Sequence, residues 1–440
     1  VAVHPTLAWQ VLLNRLGRRR LVIFAVFACA YFLSNFFRSA NAVIANDLAE
    51  EFSLSAAELG LMTGLFYVVF AAVQLPLGGA LDRVGPRMVT PALMLLAAVG
   101  SVVYSQAGSF GELALGRTLI GAGMGGVLMG AYKAFSQWFS ASRFSTAAGL
   151  VVGLGALGSL ATGAPLAWAA QTYGWRAVFM GSSLGVLLSA AALVLFVRNA
   201  PAGAPWPVVG AREARLRDVF GDRLFWYIAP LNLAVVGTLL SSQGLWAGPY
   251  LMDALGLTRL QAGSVITVAA VGGFAGYLLS GTLADRFGHR RVVVGGIGCF
   301  IAAQVGLVLA AVLPAGGEGS GGVALLGTAH VLYFAFGFGG AFNIMLMAHA
   351  RVAFPAAVTG RAVTMVNMFG LGGTAVIQWS LGLLIDSFGR DEAGRHVPLA
   401  FGVAFGITAF LCAVALAWYA GMGRAGVSAR CGGPRPPEAC

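Results

Sequence analysis

Long apolar runs alternate along this chain with short clusters of charged and turn-forming residues. Twelve runs reach the ~20 residues that an α-helix needs to cross a bilayer. The pattern predicts helices over roughly 21–45, 57–81, 88–107, 112–137, 146–170, 175–197, 224–251, 260–283, 291–313, 323–349, 361–385 and 397–421. These are spans 1 to 12. The longest polar interruption, Arg198 to Arg223, carries Pro201, Pro205, Pro207 and five arginines. It divides six spans from six. The expected organisation is an N-terminal six-helix bundle over 1–198, a cytoplasmic linker over 199–223, a C-terminal six-helix bundle over 224–421 and a disordered tail over 422–440.

Composition points the same way. The chain is 58% hydrophobic and 10% charged, with mean hydropathy +0.83, where soluble domains carry about 25% charge. A cytosolic enzyme and a secreted domain are excluded. The 63 glycines suit close helix approach in lipid. Net charge is +11, and its placement matters more than its size. With both termini cytoplasmic, 20 of the 27 basic residues fall in cytoplasmic loops and ends, and four fall outside: Arg176, Arg259, Arg390 and Arg395. Cytoplasmic loops are enriched in Lys and Arg, so the predicted location is a bacterial-type inner membrane, multi-pass, with no nucleic-acid partner. The first apolar run is too long for a cleavable signal peptide. Cys29, Cys299, Cys412, Cys431 and Cys440 show no paired spacing, so neither a disulfide framework nor a metal site is expected. No cofactor is expected either, and no P-loop is present for direct ATP drive.

Two loops repeat. Gly78 to Arg87, after span 2, and Gly281 to Arg290, after span 8, both fit G-x-x-x-D-R-x-G-x-R, with Asp82 and Asp285 203 residues apart. One such loop reads as a tight basic turn; two copies at the same place in each half imply a duplicated transporter fold. The loops resemble the signature of the major facilitator superfamily. Leu115 to Gly123, around Arg117, resembles that family's fourth-helix arginine motif, and Gly174-Trp175-Arg176-Ala177-Val178-Phe179 its entry to helix 6. The resemblance implies an all-α membrane protein, with twelve transmembrane helices in two pseudo-symmetric bundles that rock about a central site. It also implies gating roles for Asp82, Arg83, Arg87, Arg117, Asp285, Arg286 and Arg290. Span 5 departs from the drug/proton antiporters: their Gly-Pro pair is missing and Pro165 comes late.

The 16 acids all lie in loops or at span ends, whereas Arg38, Arg117 and Lys133 lie within spans. Ionisable groups inside a membrane are costly and point to function, and a cavity with cations alone favours an anion. Asn35 and Arg38 fall within about 40° of Tyr31 on one helix face, flanked by Ser34 and Asn41. Tyr31-x6-Arg38-x2-Asn41 is similar to the first helix of organophosphate and organic-anion members of the superfamily. A planar guanidinium can grip a carboxylate or phosphate with two donors. Snorkelling to the interface is the competing reading of Arg38. Lys133 is the chain's single lysine, and an ammonium can lose its proton on desolvation; it too is within reach of an interface. In span 7, Asn232, Ser242, Gln243, Trp246 and Tyr250 share about 100° of a regular helix, and in span 11 Asn367, Thr374 and Gln378 share a face. His330 and His349 read as satisfied polar residues.

The expected substrate-binding set is Tyr31, Asn35, Arg38, Lys133, Gln243, Trp246 and Asn367, with no catalytic set. The expectation is a monomeric secondary active transporter of a small anion, coupled to a proton or an exchanged anion in the lipid bilayer. An exporter of amphipathic compounds or amino acids, and a sensor built on a transporter fold, are the alternatives.

Overall fold

A computed structural model describes residues 5–201, 219–312, 321–354, 356–392 and 394–421. Most of the predicted linker and the whole predicted tail lie outside the described residues. Among the described residues, eleven helices are long and apolar enough to cross a membrane, and a pair bent by 43° at a short break makes a twelfth. All twelve predicted spans are present.

Span 1 is α1 (Pro5–Ser39) followed after a break at Ala40 by α2 (Asn41–Phe52). Spans 2 and 3 are α3 (Ala56–Arg83) and α4 (Pro86–Ser105). Span 4 is broken into α5 (Phe110–Met124) and α6 (Val127–Trp138). The break has a cause: Gln74 Nε2 donates to Gly125 O at 2.9 Å, taking a carbonyl out of the helical ladder. Span 5 is the bent pair, α7 (Ala141–Ala161) and α8 (Ala164–Tyr173). Here Thr267 Oγ1 accepts from Ala164 N at 3.0 Å and donates to Gly263 O at 2.9 Å, so a residue of another span caps the second piece. Span 6 is α9 (Trp175–Phe196).

Span 7 is α10 (Arg223–Ser241), which continues through two π-helical turns, Ser242–Trp246 and Tyr250–Ala254. Spans 8 and 9 are α11 (Arg259–Phe287) and α12 (His289–Val312). Span 10 is α13 (Gly321–Gly340), a 3₁₀ turn at Ala341–Asn343 and α14 (Ile344–Ala353). Spans 11 and 12 are α15 (Ala356–Asp386) and α16 (Pro398–Ala420).

The repeated loops share backbone as well as sequence. Gly85 (φ 94°, ψ 158°) opens α4 and Gly288 (φ 84°, ψ 143°) closes α11 just before α12. Both occupy a region that glycine alone enters cheaply, at matching places in the two copies.

The chain forms two compact units. One comprises 1–38, 69–161 and 169–211; the other comprises 39–68, 162–168 and 212–440. These units cut across the sequence halves, because the end of span 1, the first part of span 2 and a middle piece of span 5 belong to the second. In the first unit, α4 packs on α5 and α9 around an aromatic core of Phe27, Phe37, Tyr104, Phe135 and Phe179. In the second, α10 packs on α15, α11 on α13 and α12 on α16.

Candidate translocation site

In the first unit, Tyr31 and Asn35 face the glycines of α7. A Cβ on Gly155 would lie 2.1 Å from the Tyr31 ring and 3.0 Å from Asn35 Nδ2. Asn35 Nδ2 donates to Tyr31 O at 3.0 Å. Arg38 follows on the same face, half-buried, its guanidinium 5.2 Å from the Phe70 ring centroid, a cation–π contact. Arg117 is fully buried and donates to Phe37 O at 2.8 Å. That carbonyl belongs to the last turn of α1, where the break at Ala40 removes its helical partner.

Lys133 meets a different geometry from the one expected of a ligand group. Its ammonium lies 2.5 Å from Asp82 Oδ1, at the arginine-rich end of the unit. The rest of that loop is stitched down by Asn199, which accepts from Arg87 N at 3.0 Å and donates to Val84 O at 3.2 Å. Arg87 Nε donates to Val194 O at 3.1 Å, while Arg83 is exposed.

In the second unit, one face of α15 about 80° wide carries Thr364, Asn367, Thr374 and Gln378. Thr364 is exposed, Asn367 half-buried, and Thr374 and Gln378 fully buried. Exposure therefore falls along this one face from Thr364 to Gln378. The open end is the arginine-rich one. Glycines make the closure: a Cβ on Gly60 would sit 2.5 Å from Gln378 O, on Gly64 3.2 Å from Ala375 O, on Gly382 2.4 Å from Ala56 O, and on Gly248 1.6 Å from Ala42 O.

Polar contacts surround the closure. The Asp386 carboxylate accepts from Ala56 N at 2.8 Å and Ala57 N at 2.7 Å, at the positive end of α3. Asn46 donates to Asp253 at 2.8 Å, Arg390 donates to Leu54 O at 2.8 Å, and Arg259 pairs with Asp47. Burial pushes the Asp47 carboxyl up, against the pull of Arg259. Burial lowers the His396 imidazole, helped by Arg390 and opposed by Asp386.

The π turns change the expected face of span 7. Trp246 Nε1 donates to Gln378 O at 3.3 Å, and Gln243 is half-buried. Tyr250, predicted on the same face, instead donates to Leu307 O at 2.8 Å among Tyr333, Phe401 and Phe405. The prediction assumed a regular period, and π turns add a residue per hydrogen-bonded ring. Arg286 is exposed beside Phe287, Arg290 donates to Ala420 O, and the Asp285 side chain lies outside the described residues. His330 is engaged at both ring nitrogens, by Leu326 O at 2.8 Å and Ser264 Oγ at 3.1 Å, and His349 meets the Tyr419 hydroxyl at 2.8 Å. The acids that ring the closure were visible at span ends, but nothing in sequence order pairs Asp386 with Ala56 or Asp47 with Arg259.

Comparison with known proteins adds the family. The chain is 26% identical over 405 residues to the probable sulfoacetate transporter of Cupriavidus necator, covering 88% of this chain and 85% of that one. It is 26% identical over 275 residues to the probable L-galactonate transporter of Escherichia coli, covering 56% and 58%. A bacterial homologue of the human lysosomal transporter Spinster, in an inward-facing, unoccupied conformation, superposes with TM-score 0.69 at 19% identity, over 91% of this chain and 96% of that one. The family described as Major Facilitator Superfamily matches residues 27–377 and again 245–435. With the duplicated loops and the twelve spans, these matches show that the chain belongs to the major facilitator superfamily and is a multi-pass membrane transporter, not an enzyme.

Proposed function

We propose that this chain is a secondary active transporter that carries a small organic anion across a bacterial-type inner membrane by alternating access. The observation that carries the reading is Arg38: a half-buried guanidinium inside span 1, sharing a face with Tyr31 and Asn35, in a chain whose acids keep to span ends. The working parts are the six-helix halves 1–198 and 224–421, joined by a cytoplasmic linker over 199–223, with both termini cytoplasmic. The arginine-poor face is then the outer one. Names of the relatives support the substrate class, since sulfoacetate and galactonate both carry an anionic oxyacid group.

In the first unit the anion-binding residues are Tyr31, Asn35 and Arg38; in the second, Gln243, Trp246 and Asn367 are the neutral binding residues. Lys133 was expected in this set; its ion pair with Asp82 supports a place in the gate instead, with Arg83, Arg87 and Arg117, and with Asp285, Arg286 and Arg290 in the repeat. Inward movement of one negative charge against 100 mV costs about 2.3 kcal/mol. Uptake therefore requires a cotransported cation, such as a proton, or exchange for an internal anion.

Equilibrium binding and vesicle uptake of sulfoacetate and L-galactonate test the reading. Arg38→Ala is expected to abolish binding and Arg38→Lys to restore it poorly, because lysine keeps the charge and loses the fork. Removing one partner of a buried charged contact costs about 2–5 kcal/mol, or roughly 30- to several-thousand-fold in affinity. Wild-type affinity in Arg38→Ala overturns the cationic site and leaves the neutral faces of spans 7 and 11 to carry binding.

A further inference from the structure

Gln378 is fully buried, and neither end of its side-chain amide meets a hydrogen-bond partner among the described residues. Buried amides are almost always paired, so an amide with both its donor and its acceptor idle stands out. Its surroundings explain how it came to be so. The surfaces that close over this part of α15 are Gly60 and Gly64 of α3, which bring backbone against backbone. Trp246 does offer an N–H, but to the Gln378 main-chain carbonyl and not to the amide. These contacts reach main-chain atoms of α15 and leave the buried amide unmatched. Gln378 also stands at the shut end of the face that runs through Thr374 to Asn367 and the exposed Thr364.

We propose that Gln378 is the outer ligand residue of the transport pathway. It takes the carboxylate or sulfonate end of the anion when the arginine-poor face opens, and loses it when that face shuts. This rests on the transport reading above. The chemistry suits a transient contact. A primary amide offers two N–H donors to an oxyanion and an acceptor to a neighbouring hydroxyl, yet adds no fixed charge that would hold the anion. Closure removes the amide from water and from ligand together, so shutting drives the anion on along the face. The next polar side chain on this face that is not fully buried is Asn367, eleven residues away or about 16 Å along the helix. The same unpaired amide makes the shut state less stable than it would be with an apolar side chain of equal size, because an idle buried amide is penalised and a leucine there is not.

The test uses the full chain with its native cysteines replaced and Thr374→Cys as reporter, labelled by a membrane-impermeant maleimide from the arginine-poor side. Thr374 is fully buried, so labelling from that side reports opening. Gln378→Leu is expected to slow labelling at least tenfold, with an unchanged or raised melting temperature showing that the variant folds. Methanesulfonate and acetate are the probes. Bound at Gln378, one helical turn from the reporter, either probe covers the thiol, so it is expected to slow labelling at least threefold in the Gln378 chain and to have no effect in Gln378→Leu, with part of the protection regained in Gln378→Asn. Labelling of Gln378→Leu within twofold of the parent overturns the proposal, since the amide is then satisfied in the shut state by bound water. Equal protection in both chains overturns it too, and so does protection in neither. Vesicle uptake separates this from the reading beneath it: uptake of an organic anion by the Gln378 chain leaves transport standing when Gln378 fails.

Discussion

Single residues show how far chemistry alone carries the reading. Arg38 and Arg117 were visible as ionisable groups inside apolar runs, and both occupy sites where a guanidinium has work to do: one over an aromatic ring, the other on a carbonyl orphaned by a helix break. Lys133 had the same signal and a different outcome. Its partner Asp82 lies 51 residues away in sequence, so no local pattern could announce the pair. The Asp82 side chain is 57% exposed, and an ion pair open to solvent contributes about 1 kcal/mol or less. That is too little to hold the fold and enough to bias a gate. Lys133→Ala is therefore expected to change the rate of anion uptake by roughly fivefold while equilibrium affinity stays within twofold, and Lys133→Arg to restore the rate. Initial-rate uptake and equilibrium binding on the same preparations check this. A loss of affinity of thirtyfold or more in Lys133→Ala, the scale of a lost buried contact, returns Lys133 to the ligand.

At the scale of elements, the spans were legible because lipid demands an uninterrupted apolar helix, and the repeat because glycine is needed at Gly85 and Gly288 for positive φ. The interruptions were not legible. Gln74 breaks span 4 at Gly125 and Thr267 caps the second piece of span 5, and each acts from another helix. The π turns of span 7 flank Ala247–Pro249, where glycine and proline hinted at loosening without giving its direction. Between those turns Gly248 touches Ala42 O so closely that no Cβ fits. Gly248→Ala is therefore expected to hold the arginine-poor face apart. Overpacking of this kind costs about 1–3 kcal/mol, or roughly 5- to 150-fold in the ratio of shut to open states. Thr374→Cys should label faster from the outer side by that factor. Gly78→Ala is the control, since nothing lies within 4 Å of its added Cβ. Equal labelling in the two variants removes Gly248 from the closure.

For the whole molecule, alternating access requires that a face closed in one state open in another, so contacts that close it must be strong together and individually reversible. The second unit meets that need with charge-assisted contacts at span ends: Asp386 on α3, Arg390 on Leu54 and Asp47 with Arg259. In the proposed orientation these span ends lie on the outer side, where outer pH acts on them. His396 lies among them. Its main-chain N–H donates to the Asp253 carboxylate, and Arg390 and Asp386 are the charges that act on its ring. Its pKa is lowered by burial first and then by Arg390. The shut state thus favours the neutral ring. The stability it lends is full above the ordinary value of 6.5 and is lost as pH falls through the lowered value. Asp47 acts in the opposite sense, because burial raises its pKa. Its neutral form suits the shut state, which gains as pH falls toward the carboxylate range near and above 3.8. Between about pH 8 and about pH 5 the histidine term leads. Outer labelling of Thr374→Cys is expected to rise across that interval, by up to roughly tenfold for each unit by which the shut and open states separate the His396 pKa. His396→Gln keeps the main-chain donor and loses the titration, so its labelling should be flat. The same rise in His396→Gln places the proton on another group of the closure, and a fall on acidification in both chains gives control to its acids, Asp47 and Asp253.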